Sequence, residues 1–303
     1  MRKTTQNSKL KTQNHSLKFK NYYLLLLFIV LLILFTSLKG SLVFKKKDRL
    51  NVVFYGERTA FYSFGFDDGV DYFISFSSDI RVPVPGGFGY YRLGGLGKLV
   101  DLEKKPDLYK KSFSAITSTF VDLYFFPKKD EVYFGSERPT IFLPSFRQFF
   151  FNKSNASFFD RSYIFFLFTT KQKTQFIQTA QIPVKNEADE QILDERIFSD
   201  KLIGNFYQKT YRDEKKNVQI AYTIKEINAL SIAKIIEGQG IRVVDINNNN
   251  KKDHCQIIET EATNSQTAKK LGDFFNCPVI KGKTESYDII LELGEKEKEW
   301  AVE

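Results

Sequence analysis

The sequence predicts an α/β (α+β) fold carried on an N-terminal transmembrane helix. Three observations predict it. An uncharged apolar run fills Tyr22–Leu38. A Phe- and Tyr-rich body of short strand-like segments is broken by Gly, Pro and Asp-Gly. In the last part of the chain, strand and helix periodicities alternate.

The run YYLLLLFIVLLILFTSL comes first. Thirteen of its residues are Leu, Ile, Val or Phe. At roughly −0.3 to −0.6 kcal/mol each near a helix centre, they favour insertion by about 4 to 8 kcal/mol. The run extends through Gly40–Phe44 if Lys39 snorkels to the interface, and Tyr22 and Tyr23 suit the headgroup boundary. Residues 1–20 carry Arg2, Lys3, Lys9, Lys11, Lys18 and Lys20 and no acid. The positive-inside rule therefore puts this basic head in the cytoplasm and the rest of the chain outside the cell membrane. The alternatives are a buried core helix and a cleaved signal peptide. The segment is apolar on all faces, longer than a usual signal core, and lacks paired small residues at cleavage spacing. An uncleaved signal anchor over 21–44 is the favoured reading.

The chain has 303 residues and a formal charge of +9. Six of those charges lie in the head, leaving +3 for the remainder, so the basic balance is no nucleic-acid signature. The two cysteines, Cys255 and Cys277, would face an oxidising compartment. They form either a disulfide or two free buried thiols. With His15 in the head and His254 the only histidine beyond it, neither a zinc set nor a Ser-His-Asp arrangement is present.

The first part of the body, 50–185, reads as mixed α/β. Strands are expected at Leu50–Tyr55, Arg58–Phe66 and Val70–Phe76, the last two joined by the hairpin signal Asp67-Asp68-Gly69. Ile80–Val84 continues the β character, with Pro83 favouring an edge. Gly86–Gly97 is glycine-rich but is no phosphate loop, because Lys98 is followed by Leu99. Pro106–Tyr124 has helical spacing. A short strand is expected at Glu131–Phe134 and another at Gln175–Val184. Ser145–Phe151 and Ala156–Phe168 are aromatic-rich, and Asn155 is placed to cap the second as a helix. The aromatics of Phe142–Phe168 read as ordinary core, with a lipid-tail groove or a surface resting on the membrane as the alternatives. Residues 186–217 are charged and read as a helical linker.

From 218 to 295 the order is β-α-β-β-α-β, two helices on a sheet. Val218–Tyr222, Ile241–Ile246, Cys255–Glu259 and Tyr287–Leu293 are the strands. Ala229, Ile232, Ala233 and Ile236 make one helical face; Ala268, Leu271, Gly272 and Phe275 make the other. Thr223–Glu226 has capping-box spacing. Residues 296–303 read as a tail.

This last region, with VQIAY, EGQGIRVVDI, TAKKLGDFF and SYDIILELG, resembles the LytR C-terminal domain of cell-envelope proteins of the LytR/CpsA/Psr group. That domain is regarded as non-catalytic. The body before it is similar, more weakly, to the LytR/CpsA/Psr catalytic domain, whose members move anionic glycopolymers from a polyprenyl pyrophosphate carrier to peptidoglycan with a divalent metal. The fingerprint region here is DYFISFSSDIRVPVPG, with Asp79 in the Asp position and Val82–Gly86 in the turn. Ser78 stands where the group has an arginine, Ala60 where it has a metal-linked Asp. The later arginine-rich segment is represented by Phe146-Arg147-Gln148. A pyrophosphate needs forked donors and a neutralising cation, so these departures imply a degenerate relative.

The functional expectation follows. The chain is an extracytoplasmic, single-pass bacterial envelope protein that binds cell-wall glycopolymer or an envelope protein without catalysis. Asp79, Arg81, Arg92 and Arg147 are the candidate anion or glycan site; a surface ion pair beside a turn is the competing reading of the first three. The alternatives are a glycopolymer (phospho)transferase, for which Mg²⁺ would be the cofactor, and a scaffold of a membrane complex. Otherwise no cofactor and no nucleic-acid partner is expected.

Overall fold

The computed structural model describes residues 28–29, 41–42, 47–129, 131–135, 140–179, 182–187, 190–248, 253–260 and 265–302. The expected anchor lies outside the described residues except at Phe28, Ile29, Ser41 and Leu42. No helix among the described residues is long and apolar enough to cross a membrane. The chain divides into two compact units, Met1–Lys46 with Ala156–Phe166, and Lys47–Asn155 with Leu167–Glu303.

The fold is mixed α/β with three mixed sheets. The first part of the larger unit holds β1 (Arg49–Phe54), β2 (Thr59–Gly65), β3 (Asp71–Phe76), β4 (Arg81–Pro83) and β5 (Tyr90–Arg92). After these come α1 (Leu96–Glu103), α2 (Asp107–Thr117) and β6 (Leu123–Phe126), then α3 (Phe146–Phe150) and β7 (Lys153–Ser154). Next in this unit are β8 (Phe176–Gln178), β9 (Val184–Glu187), β10 (Glu190–Leu193), α5 (Glu195–Leu202) and α6 (Lys209–Glu214); α4 (Phe158–Thr169) belongs to the smaller unit as far as Phe166. One sheet runs β7-β6-β1-β2-β3-β8, a second β5-β4-β10-β9. The β2–β3 hairpin turns at Asp67-Asp68-Gly69, where Gly69 takes a φ of +68°. Phe54, Phe61, Phe64, Phe73, Phe76 and Phe113 are fully buried, so the aromatics of this stretch are chiefly core.

Several expected elements change. The glycine-rich Gly86–Gly97 holds β5 and the start of α1. The helix expected over Pro106–Tyr124 stops at Thr117, because Ser118 is left-handed and the chain turns into β6. Glu131–Phe134 forms no strand, although Tyr133 N–H donates to the Gly94 carbonyl at 3.0 Å. Among the described residues of 175–183 only β8 forms, and β9 begins at Val184. Asn155 caps no helix. Its side chain accepts from Tyr124 N–H at 3.0 Å and donates to the Asp122 carbonyl at 2.9 Å, while Ser157 caps α4. The stretch 186–217, expected to be helical, contains β10 as well as α5 and α6. Leu193, Phe198, Leu202 and Phe206 draw it onto the main core.

The third sheet is built by β11 (Asn217–Ala221), β12 (Arg242–Asn247), β13 (Gln256–Glu259), β14 (Val279–Lys281) and β15 (Ile289–Glu292), in the order β12-β11-β15-β13-β14. The helices are α7 (Glu226–Glu237), α8 (Gln266–Phe275) and the short α9 (Lys296–Glu299). Val218, Ile220, Ile257, Ile289 and Leu291 share one face by register and pack with Ala229, Ile232, Ala268 and Leu271 of the two helices. β14, parallel to β13, is an addition to the expected order. Cys255 and Cys277 are bridged, with Cα atoms 5.3 Å apart. Thr223 makes no capping box. The buried carboxylate of Glu297 accepts the N–H groups of Thr223 and Ile224, both at 2.8 Å, and that of Lys225.

The two parts of the larger unit share a packed seam. Phe120 stacks on Phe274 at 4.1 Å. Gly238 lies so close to Ser118 that a Cβ would fall 1.6 Å from its carbonyl oxygen. The tail is not loose: Trp300 is buried against Phe274 and Phe275, and the Ala301 carbonyl accepts from Gly86 and Gly87 N–H at 2.8 and 3.0 Å. At the centre, Asp122 accepts from Lys47 Nζ at 2.8 Å, Lys270 Nζ at 2.9 Å and Asn51 N–H at 3.0 Å. Burial pushes this carboxyl up, but the two lysines and the N–H outweigh burial and hold it well below the usual carboxylate range.

Candidate functional site

β4 and β5 pair antiparallel with Arg81 directly opposite Arg92. Like charges placed so repel, and each guanidinium has its own acid. Arg81 Nη2 donates to Glu190 of β10 at 2.6 Å, and its Nη1 to the Tyr90 carbonyl at 3.3 Å. Arg92 pairs with Asp79, lies 4.2 Å over the Phe134 ring and donates to the Tyr133 carbonyl at 3.4 Å. Asp79 is itself fixed, its second oxygen accepting Gly135 N–H at 3.0 Å and its own N–H donating to Ser77 Oγ at 3.2 Å.

A groove of about 310 Å³ opens beside this pair, lined by Arg81, Tyr90, Tyr91, Arg92, Gly95, Lys98 and Val132. Among the described residues its lining carries three cations and no carboxylate. Lys98 projects from α1, exposed, and forms no ion pair among the described residues. Gly94 lets the chain pass under the Tyr133 carbonyl, where a Cβ would lie 2.1 Å from that oxygen. The Tyr90 hydroxyl donates to Glu195 of α5. Burial, and then this carboxylate, push its phenol up.

Of the sequence candidates, Asp79, Arg81 and Arg92 come together, Asp79 as a buttress for Arg92 and not as lining. Arg147 sits exposed on α3 and does not line this groove. Lys98, Tyr90 and Tyr91 join the site unforeseen. The available signal was YYRLGGLGK, in which Gly94 and Gly95 make the tight turn that joins β5 to α1. Ser78 is buried, its carbonyl accepting Gly94 N–H at 2.8 Å; Ala60 is fully buried on β2. Among the described residues no group of three or more His, Cys, Asp or Glu is placed to hold a metal ion.

A second groove, about 570 Å³, lies at the start of α2. Lys104, Lys105, Lys111 and Lys298 line it with Asp107 and Glu299, over Phe88, Pro106 and Leu108. Lys111 and Glu299 pair at 2.7 Å across the seam. Lys98 of α1 lines the first groove and Lys104, just past the end of α1, lines the second; between them the chain advances about 9 Å along the helix.

No protein-family model matches the chain, and no curated protein matches it. Among solved structures it is similar to TagT from B. subtilis, with a TM-score of 0.35 and 15% identity, covering 52% of this chain and 91% of that one. It is also similar to a LytR-CPS2A-psr family protein, YwtF (TagT), with bound octaprenyl pyrophosphate lipid, with a TM-score of 0.34 and 14% identity, covering 54% and 94%. B. subtilis TagV gives a TM-score of 0.34 at 9% identity, covering 52% and 95%.

Proposed function

We propose that this chain is an extracytoplasmic, membrane-anchored protein that binds an anionic cell-wall glycopolymer without transforming it. The observation that carries the reading is the convergence of Arg81, Arg92 and Lys98 on a groove whose lining, among the described residues, has no acid. Guanidinium forks suit phosphate or carboxylate oxygens, Lys98 adds a mobile point charge, and Tyr90 and Tyr91 offer faces to sugar rings. The second groove, lined by lysines, favours a polymer with repeated charges over a single anion. The burial of Ser78 and Ala60 supports binding over transfer, because neither position presents a group to the groove.

A second reading, glycopolymer (phospho)transferase, is favoured by one observation, the Asp79 carboxylate held against Arg92 at the rim. The test uses the full chain in detergent micelles with poly(glycerol phosphate) and a polyprenyl pyrophosphate glycolipid as probes. Saturable, salt-sensitive polymer binding with no Mg²⁺-dependent phosphate release supports binding. Metal-dependent turnover abolished in Asp79→Ala overturns it in favour of transfer.

A further inference from the structure

The cationic groove is carried chiefly by one hairpin. Arg81, Tyr90, Tyr91 and Arg92 all belong to β4 and β5, and residues 84–89 form the loop between these strands. The hairpin is loosely attached to its sheet. β5 is the edge strand, and among the described residues β4 joins β10 at a single pair, Arg81 opposite Ile192. The loop itself is rich in glycine, with Gly86 and Gly87 at φ of +99° and +83°. Such residues lose more freedom on ordering than any others. Gly87 also has open space where a Cβ would stand, so packing there does not fix it.

The loop is instead pinned from outside. Gly86 N–H and Gly87 N–H both donate to the Ala301 carbonyl, at 2.8 and 3.0 Å. Among the described residues these are the hydrogen bonds that tie the loop to anything beyond its hairpin. Two successive N–H groups converging on one oxygen form a nest. The oxygen is held in turn by the C-terminal sheet and its helices. Trp300, 3% exposed, packs with its ring 5.7 Å from Phe274 and 5.5 Å from Phe275 of α8. Glu297, fully buried, fastens the preceding turn to the N–H groups that lead into α7. The strap that pins the groove's hairpin therefore has its buried anchors in the other half of the unit.

We propose that Trp300 and Ala301 are positioning residues for the cationic groove: Trp300 seats the Ala301 carbonyl, which holds the hairpin tip so that Arg81 and Arg92 are ordered before a ligand arrives. This rests on the binding reading of the groove and gives the C-terminal sheet a part in it. A groove ordered in advance loses less freedom on capturing a polyanion. Coupling is reciprocal, so a polyanion in the groove tightens the same clamp.

The test uses the full chain in detergent micelles with poly(glycerol phosphate) as the probe. Trp300 is the only tryptophan of the chain, so its emission reports the clamp directly. Calorimetry gives affinity, and amide hydrogen exchange follows Gly86 and Gly87. Saturation with polymer should slow exchange at both glycines about tenfold and shift the Trp300 emission with the midpoint of calorimetric binding. Trp300→Ala should weaken polymer binding about tenfold and speed exchange at both glycines, and Trp300→Phe should restore both. Should Trp300→Ala fail to fold, exchange and emission in the wild-type chain still decide. Calorimetric binding with neither signal changed, or wild-type affinity in a folded Trp300→Ala, overturns the clamp and leaves the groove standing. An emission shift that persists in Arg81→Gln/Arg92→Gln/Lys98→Gln at the polymer concentration saturating wild type arises from direct contact and also overturns it. Absence of polymer binding to wild type overturns the binding reading and the clamp together.

Discussion

Replacing Asp122 by Asn tests whether the seam is held by charge. The carboxylate is enclosed by two ammonium groups within 2.9 Å and a backbone N–H at 3.0 Å. Asn keeps the volume and one acceptor but removes the charge that neutralises Lys47 and Lys270. Breaking a buried ion pair from one side costs about 3–5 kcal/mol. Both lysines keep some solvent contact, so the lower end, about 3 kcal/mol, is expected. At about 2–4 °C per kcal/mol for a body of this size, the midpoint of thermal unfolding falls by roughly 6–12 °C. Because the folded carboxyl titrates below the unfolded one, its stabilisation is complete above the ordinary Asp range. It is lost as pH falls through the folded value, so wild type and variant converge in acid. Differential scanning of the full chain in detergent at neutral and acid pH reads both effects. Adding Lys270→Met to Asp122→Asn should recover part of the loss. A shift under about 1 °C at neutral pH would refute the reasoning.

Other consequences follow from single residues. Burial, with neighbouring Lys270, lowers Lys110 to about 8 despite Asp107 and Asp122. Between that value and the free-lysine range the unfolded chain binds more protons, so stability rises with pH there. Lys110→Met should flatten the rise in urea unfolding between about pH 8 and 10, and an unchanged slope would contradict it. Removing the Cys255–Cys277 bridge with paired serines should cost about 3 kcal/mol by loop entropy, and equal urea midpoints would argue that the bridge does not form in the folded protein. Gly238→Ala should cost about 3 kcal/mol or more, because its Cβ meets the Ser118 carbonyl; a near-neutral midpoint would mean that the seam yields.

The C-terminal sheet and its helices were legible because each has clear periodicity and flanking punctuation. β14 was missed because Val279-Ile280-Lys281 is three residues long, with only Pro278 before it and a glycine after. α1 was hidden by glycines that read as loop, although Leu96, Leu99 and Val100 carry a helical stripe into the core. Residues 186–217 misled because their charge suggested a solvated helix. Four apolar side chains sufficed to dock them, and β10 delivers Glu190 to Arg81. Arg81 and Arg92 are sequence candidates together with Asp79, but β5, which sets them opposite each other, lies in a stretch that reads as glycine-rich turns. Lys98 and Glu190, the acid that holds Arg81, depend on tertiary contacts that no local pattern announces. The capping of α7 by Glu297, some seventy residues away, is of the same kind.

The most direct measurement compares poly(glycerol phosphate) binding by the full chain with that of Arg81→Gln/Arg92→Gln/Lys98→Gln, at low and high salt. At about 1 kcal/mol for each exposed charge-assisted contact, the triple variant should bind roughly 100-fold more weakly and lose most of its salt dependence. Unchanged affinity in a variant with wild-type thermal stability would contradict the assignment of this groove.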